Sequence, residues 1–351
     1  MTIGSKNKDS EVIISESDVR LAELRNLTAS SVRISGSKVI EKLVIHNVTC
    51  DTLHISIPVK SLIISRESNS ISSIKRLDIE LHEISDKPET TIQTNGLGID
   101  KLNLTGNLNG GRILIKESDF KDITLSSFIN KGDFGLYSVK INDALRLLNV
   151  SLSNAEWNDV ILLGSVHISK SNISDIRYQN TKFPLSIIAE DERDYSGTRD
   201  IYRQLEGAAI RQKDRKDELL FQQKKYELLE KQFSLEKSWQ SVGDKFILCT
   251  NRLSNKHGQD WLRAFTITLA LAILFYTTIK YQTGHRYFSW SNTPGELSSF
   301  LSFLANPLHK ANEVFGVEQL VGYPLLLDTV FKLLSGFLLF QMIRAFRKFV
   351  G

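Results

Sequence analysis

Asp328 and Lys332 are the two side chains whose types and spacing most directly suggest chemistry. They lie four residues apart inside an apolar stretch, Leu325 to Ile343, so a helix there carries both on one face. An ionisable group inside an apolar helix of that length is costly unless it is paired or faces water. Two arrangements follow. One is an intrahelical ion pair buried against a neighbouring helix, and the other is the lining or gate of an ion path formed when several copies assemble. Ser335 and Gly336, about one turn on, permit close helix contact and suit both.

Nothing else in the chain resembles a reaction centre. There is no Gly-Lys-Ser/Thr phosphate loop, Gly-x-Ser-x-Gly elbow, Cys-x-x-Cys pair or His-Glu-x-x-His. The seven histidines are scattered: His46 and His54, His82 beside Glu83, His167, and then His257, His285 and His309 near the apolar stretches. None stands at ligand spacing from another, so neither a metal nor another cofactor is expected, and the chain is not expected to be an enzyme. The net charge of +4 is too small to point to nucleic acid, and Lys and Arg are mixed with Asp and Glu where an acidic DNA mimic needs one sign. Two distant cysteines, Cys50 and Cys249, fit folding in a reducing compartment. Met1 to Ser10 is polar and carries no secretory signal pattern, so the first domain is expected in the cytosol.

The elements that must position Asp328 and Lys332 are two apolar helices. Trp261 to Ile279 is nineteen residues with one charge, Arg263, and makes about 28 Å of helix against a bilayer core of about 30 Å. Leu325 to Ile343 has the same length. The spacing therefore predicts transmembrane helices over 261–281 and 324–351, the latter ending in a basic cytosolic segment. Trp261, Arg263, Tyr281, Arg344, Arg347 and Lys348 are the expected interface anchors. Lys245, Arg252, Lys256 and Arg263 precede the first span, and Arg344, Arg347 and Lys348 follow the second. Both termini are thus expected in the cytosol. Residues 282–323 become an extracytoplasmic loop, with Arg286 and Lys310 against Glu296, Glu313 and Glu318. A short helix is expected from Thr293 through Leu304, with Pro307 ending its vicinity. Val321-Gly322-Tyr323-Pro324 does not amount to a carbonyl selectivity filter.

Ahead of the spans, residues 190–260 read as a helical, coiled-coil-like neck. The helix is rich in Glu, Lys, Gln, Leu and Ala from Thr198 to Lys237, and a break is expected near Lys213 to Arg215. Tyr202, Leu205, Ala209, Leu219, Leu220, Tyr226, Leu229 and Phe233 form its apolar stripe, which must pack on the preceding domain or on a second subunit.

Residues 1–189 follow a different rule. Leu147, Leu152, Trp157 and Leu162 recur every five positions; one residue is inserted, and Ile168, Ile173, Tyr178 and Phe183 continue by five. Two positions before each sits a second, mostly smaller residue: Leu145, Val150, Ala155, Val160, Val166, Ser171, Ile176 and Thr181. Inward pairs two apart, turning a corner between pairs, build a four-sided coil. Coils of roughly twenty residues over 12–188 imply about nine turns and a rod of about 40 Å. The clearest repeats occupy 113–183. Earlier pairs such as Val32/Ile34, Leu43/Ile45, Leu53/Ile55 and Leu77/Ile79 are irregularly spaced, and Gly106 to Arg112 reads as a turn. Asn26, Asn47, Asn103, Asn149 and Asn172, each in an Asn-x-Ser/Thr match, are read as outward corners. Pro184 and the acids Glu190, Asp191, Glu192 and Asp194 are placed to end the stack.

This pattern resembles the pentapeptide-repeat family, with Asn154-Ala155-Glu156-Trp157-Asn158 close to its motif and Leu145 and Ile176 larger than the family prefers. The resemblance implies a right-handed quadrilateral β-helix. Ser254-Asn255-Lys256-His257-Gly258 and Ile343-Arg344-Ala345-Phe346-Arg347-Lys348-Phe349 resemble the tail segments of bacterial pentapeptide-repeat membrane proteins with two terminal helices, which implies a bacterial inner-membrane location and no defined reaction. The expected function is a cytosolic sensor that binds an unknown protein or ligand, coupled to a homo-oligomeric, channel-like or membrane-perturbing module; antiviral defence is one setting, by analogy. The alternative is a membrane-tethered interaction scaffold that conducts nothing.

Overall fold

A computed structural model of the chain describes residues 2–3, 11–15, 20–66, 73–82, 90–184, 186–189, 191–235, 249–252, 260–283, 293–306 and 308–346. It divides into two units, Met1–Leu229 and Glu230–Gly351, each with its own apolar core.

In the first unit the strands β1 to β17 run from Thr2–Ile3 to Ile187–Ile188, and each pairs in parallel with strands of the neighbouring coil. The result is a β-solenoid of about seven turns over residues 21–188, fewer than the nine expected from its length. At an inter-strand spacing of about 4.8 Å, seven turns rise about 34 Å. The regular coil has twenty-one residues where roughly twenty was expected: Leu102 lies opposite Ile123, Phe134 opposite Ala155, and Leu145 opposite Val166. The last coils keep four inward pairs but make one of the four steps six residues long. Val139/Ile141 is followed by Leu145/Leu147, and Val160/Leu162 by Val166/Ile168, with Val150/Leu152 and Ala155/Trp157 between. The single insertion visible in sequence at 163–165 is therefore one of a recurring set. Gly164 lies in this one, where an added Cβ would stand 1.9 Å from the Asp143 carbonyl oxygen.

Corners stack as the strands do. Asn26, Asn47, Glu117, Ser138, Asp159 and Asn180 all have φ of 47–55° and form one column, and Ser127, Asn149 and Lys170 form a second. Short polar side chains tolerate this left-handed geometry and bond locally. The Asn47 amide donates to Asn26 Oδ1 at 3.3 Å, and the Asn180 amide to Asp159 Oδ1 at 3.0 Å. Asn26, Asn47 and Asn149 are thus corners as expected. Asn103 is not: it lacks the left-handed φ of the corner residues, and its amide donates to Asp78. Early coils are irregular because they vary in length: Leu43 faces Leu62, nineteen residues on, Leu53 faces Leu77, twenty-four on, and Leu62 faces Ile92, thirty on. Cys50 is buried among these apolar pairs, its thiol pushed up to about 12 by burial and then by Asp51.

Helix α1, Tyr195–Gln212, begins at the acids expected to end the stack: Asp194 is its N-cap and accepts the Gly197 N–H at 2.8 Å. Glu190 lies outside the described residues. Rather than standing away as a neck, α1 covers the last coil. Ile201, Tyr202, Leu205, Ala208 and Ala209 join the solenoid core. The Gln204 carboxamide accepts the Ile173 N–H at 2.8 Å, and that of Gln212 accepts the Tyr178 N–H at 2.9 Å. Their amino groups reach the Ser171 and Ile176 carbonyls, each at 3.4 Å. Tyr202 and Thr198 accept the Ile187 and Ala189 N–H groups. Side chains of α1 thereby take the place of a further strand. The break expected near 213–215 is present: Lys213 adopts a left-handed C-cap, and α2 runs Arg215–Leu235. Of the expected stripe, Tyr202, Leu205 and Ala209 are buried, whereas Leu220 is exposed and the buried α2 residue is Phe221, packed on Phe183 and Tyr202.

Substituting Gln204→Ala removes the partner of a strand-edge N–H and is expected to cost about 1–2 kcal/mol. A denaturant titration followed by tryptophan fluorescence should show a lower solenoid midpoint; an unchanged midpoint would mean that water replaces the carboxamide at no cost.

Candidate functional site

The second unit is built on α3, Trp261–Gln282, and α6, Tyr323–Phe346, both long and apolar enough to cross a membrane. Each presents a narrow seam to the unit's interior. On α3 the buried residues are Ala264, Thr268, Ala272, Tyr276 and Ile279; on α6 they are Asp328, Phe331, Ser335, Leu338 and Gln341. Such spacings of three and four place each set on one face. Between the long helices lie α4, Thr293–Ala305, and α5, Ala311–Phe315, so the expected short helix is present. Phe303 of α4 stacks on Phe331 of α6 with centroids 4.1 Å apart, and Tyr276 packs against Phe300, Phe303 and Phe315. Pro307 and residues 284–292 lie outside the described residues.

Asp328 lies about 8 Å along α6 from its first residue, and its side chain is 5% exposed. Lys332 Nζ is 2.7 Å from Asp328 Oδ2, the ion pair that four-residue spacing allows. The opposite carboxylate oxygen, Oδ1, is 2.9 Å from Nε2 of His309, whose side chain is 1% exposed. Two more bonds close the cluster: Lys332 Nζ donates to the His309 carbonyl at 3.2 Å, and His309 Nδ1 stands 2.8 Å from the Asn306 carbonyl. Phe303 and Phe315 flank the imidazole. A carboxylate on a long apolar helix is thus partnered by a cation from its own helix and by a histidine from the connecting segment.

A second bridge repeats the logic on α3. Lys280 pairs with Glu296 in the first turn of α4, the Tyr276 hydroxyl lies 3.3 Å from the same Glu296 oxygen, and Lys280 stands over the Tyr276 ring. Sequence reading placed Asp328 and Lys332 together but missed His309 and the Lys280–Glu296 pair. Glu296 follows Pro294 and Gly295 at a helix start, where acids are favoured, and that was the available signal; nothing local pointed from His309 to Asp328, nineteen residues on.

Of the expected anchors, Trp261 and Arg263 lie in the first turn of α3, where Asp260 accepts the Arg263 N–H at 3.1 Å, and Tyr281 is exposed at its end. Arg344 lies in the last turn of α6 with its side chain outside the described residues, and Arg347, Lys348 and the 254–258 motif lie outside them altogether. No group of three metal-ligating side chains occurs among the described residues.

Fold and site define a class: a β-solenoid joined in one chain to a helical unit with two potential membrane-crossing helices. Comparison with known proteins found no matching family model, curated protein or solved structure.

Asp328→Ala strands a buried imidazole and an ammonium, and should cost about 3–5 kcal/mol. Lys332→Met should cost less, because Asp328 keeps His309. Thermal unfolding in detergent should rank the two variants in that order; equal losses would assign the cluster's stability to the ion pair alone.

Proposed function

We propose that this chain is an integral membrane protein of the bacterial inner membrane, in which the α3–α6 hairpin tethers a cytosolic, pentapeptide-repeat-like solenoid that binds a partner. The observation that carries this reading is an inversion of polarity. On α6 the polar residues Asp328, Ser335 and Gln341 are buried, while Leu325, Leu326, Val330, Leu333, Leu339, Phe340 and Ile343 face outward. A water-soluble helix has the reverse arrangement. The outward threonines fit as well: Thr277, Thr278 and Thr329 return their hydroxyls to carbonyls three or four residues back, as a medium without water requires. The charge distribution of the sequence supports a cytosolic position for both termini, and the five-residue spacing of the inward pairs supports the family reading.

The reading predicts retention in the membrane through alkaline or high-salt washing and release by detergent. Protease outside spheroplasts should cut between the spans and leave the solenoid intact. Recovery of a monodisperse species without detergent would overturn it.

Oligomeric conduction is the second reading. Lys332 keeps 31% of its side chain exposed, so it alone of the cluster offers charge to a neighbouring copy. Reconstituted liposomes should then leak ions, and Lys332→Gln should reduce the flux. Tight liposomes at every protein density would leave the tether reading in place.

A further inference from the structure

Both nitrogens of the buried His309 ring face oxygen acceptors: Nδ1 the Asn306 carbonyl at 2.8 Å, and Nε2 the Asp328 carboxylate at 2.9 Å. A carbonyl can only accept, and so can an ionised carboxylate, while a neutral imidazole carries one N–H. A neutral ring beside an ionised carboxylate therefore leaves one contact as lone pair against lone pair. Both contacts become bonds when the pair holds one further proton, on the ring as imidazolium or on the carboxyl group. We propose that this shared proton is a latch that holds residues 308–315 against α6 while it is bound and frees them when it is lost.

The groups that face the pair come from three elements. From α6 come Asp328, which favours the proton, and Lys332, which opposes it from the far carboxylate oxygen. The connecting segment contributes exposed Lys310 and the uncharged rings of Phe303 and Phe315. Across the aromatic cluster, α3 contributes Tyr276, with its hydroxyl turned to Glu296, which Lys280 neutralises. The proton is bound at lower pH, so the latch is complete there and is lost as pH rises. The proton count rests on the two ring contacts alone. Only the compartment whose pH it follows, the extracytoplasmic one, rests on the membrane reading.

The test is hydrogen exchange of the full chain in detergent, with protection factors for residues 308–315 compared between about pH 6 and about pH 9. Losing one buried bond should lower wild-type protection about tenfold or more over that range. His309→Gln presents an amide that donates to Asp328 at any pH, and Asp328→Asn presents a partner that either neutral tautomer satisfies. Both should give flat profiles. Flat wild-type protection, or an undiminished pH dependence in whichever variant folds, overturns the latch. Failure of the membrane reading would instead appear in extraction and leave these profiles unchanged.

Discussion

Polar groups removed from water must find their partners within the chain, and that constraint shapes both units. In the solenoid, buried Asn130 turns back on its own corner, its amide donating to the Asp133 carbonyl and its oxygen accepting the Gly132 N–H. Ser171, at an inward position, accepts the Val150 N–H and donates toward the Ser169 carbonyl. At the final coil, where no strand follows, Gln204, Gln212, Tyr202 and Thr198 supply what a strand would have supplied. An open strand edge invites pairing with another chain, so covering it with a helix serves solubility as well as stability. In the helical unit the same demand falls on hydroxyls, which bond back to their own helix, and on the cluster around Asp328.

The solenoid was legible in sequence where its repeat is strict. Pairs two apart on a five-residue step cannot be mistaken for a helix, and from Leu145 to Phe183 they give the coil directly. What hid the true period was the sixth residue in one step of each of the last coils. Within 145–183 it occurs once and reads as an accident; only strand register shows that it recurs. Earlier coils were less legible because they differ in length, from nineteen to thirty residues, which moves sequence spacing without moving the inward pairs. Leu62 and Ile92 are neighbours in space despite thirty intervening steps of chain. The capping role of α1 was not legible: Gln204 and Gln212 look like ordinary helix-surface residues until an unpaired strand edge lies beneath them.

The site was half legible for a similar reason. Four-residue spacing brings Asp328 and Lys332 together by helix geometry alone. His309 and Glu296 reach their partners through the packing of α4 and α5 on the long helices, around Phe303, Phe331 and Tyr276. Tertiary apolar contacts of that kind leave no periodic trace. Asp328 and Lys280 on the two long apolar helices nevertheless stated the problem, since each needed a partner: Asp328 takes Lys332 of its own helix and His309 of the connecting segment, and Lys280 takes Glu296 of that segment.

Why the hairpin should keep such costly pairs follows from what an apolar surface cannot do. Aromatic rings and leucines fit together in several ways of similar energy, and replacing a buried ion pair with hydrophobic residues is often neutral or stabilising. A carboxylate in an apolar helix has no such latitude: if the connecting segment slips by a residue, Asp328 loses the imidazole and Lys332 loses the His309 carbonyl together. The penalty for a wrong seating is thus concentrated in one place, and Lys280 with Glu296 imposes a second, independent one on α3. Phe303 is held between these two fixed points, so its stacking on Phe331 is chosen by the polar bridges on either side of it rather than by apolar packing alone.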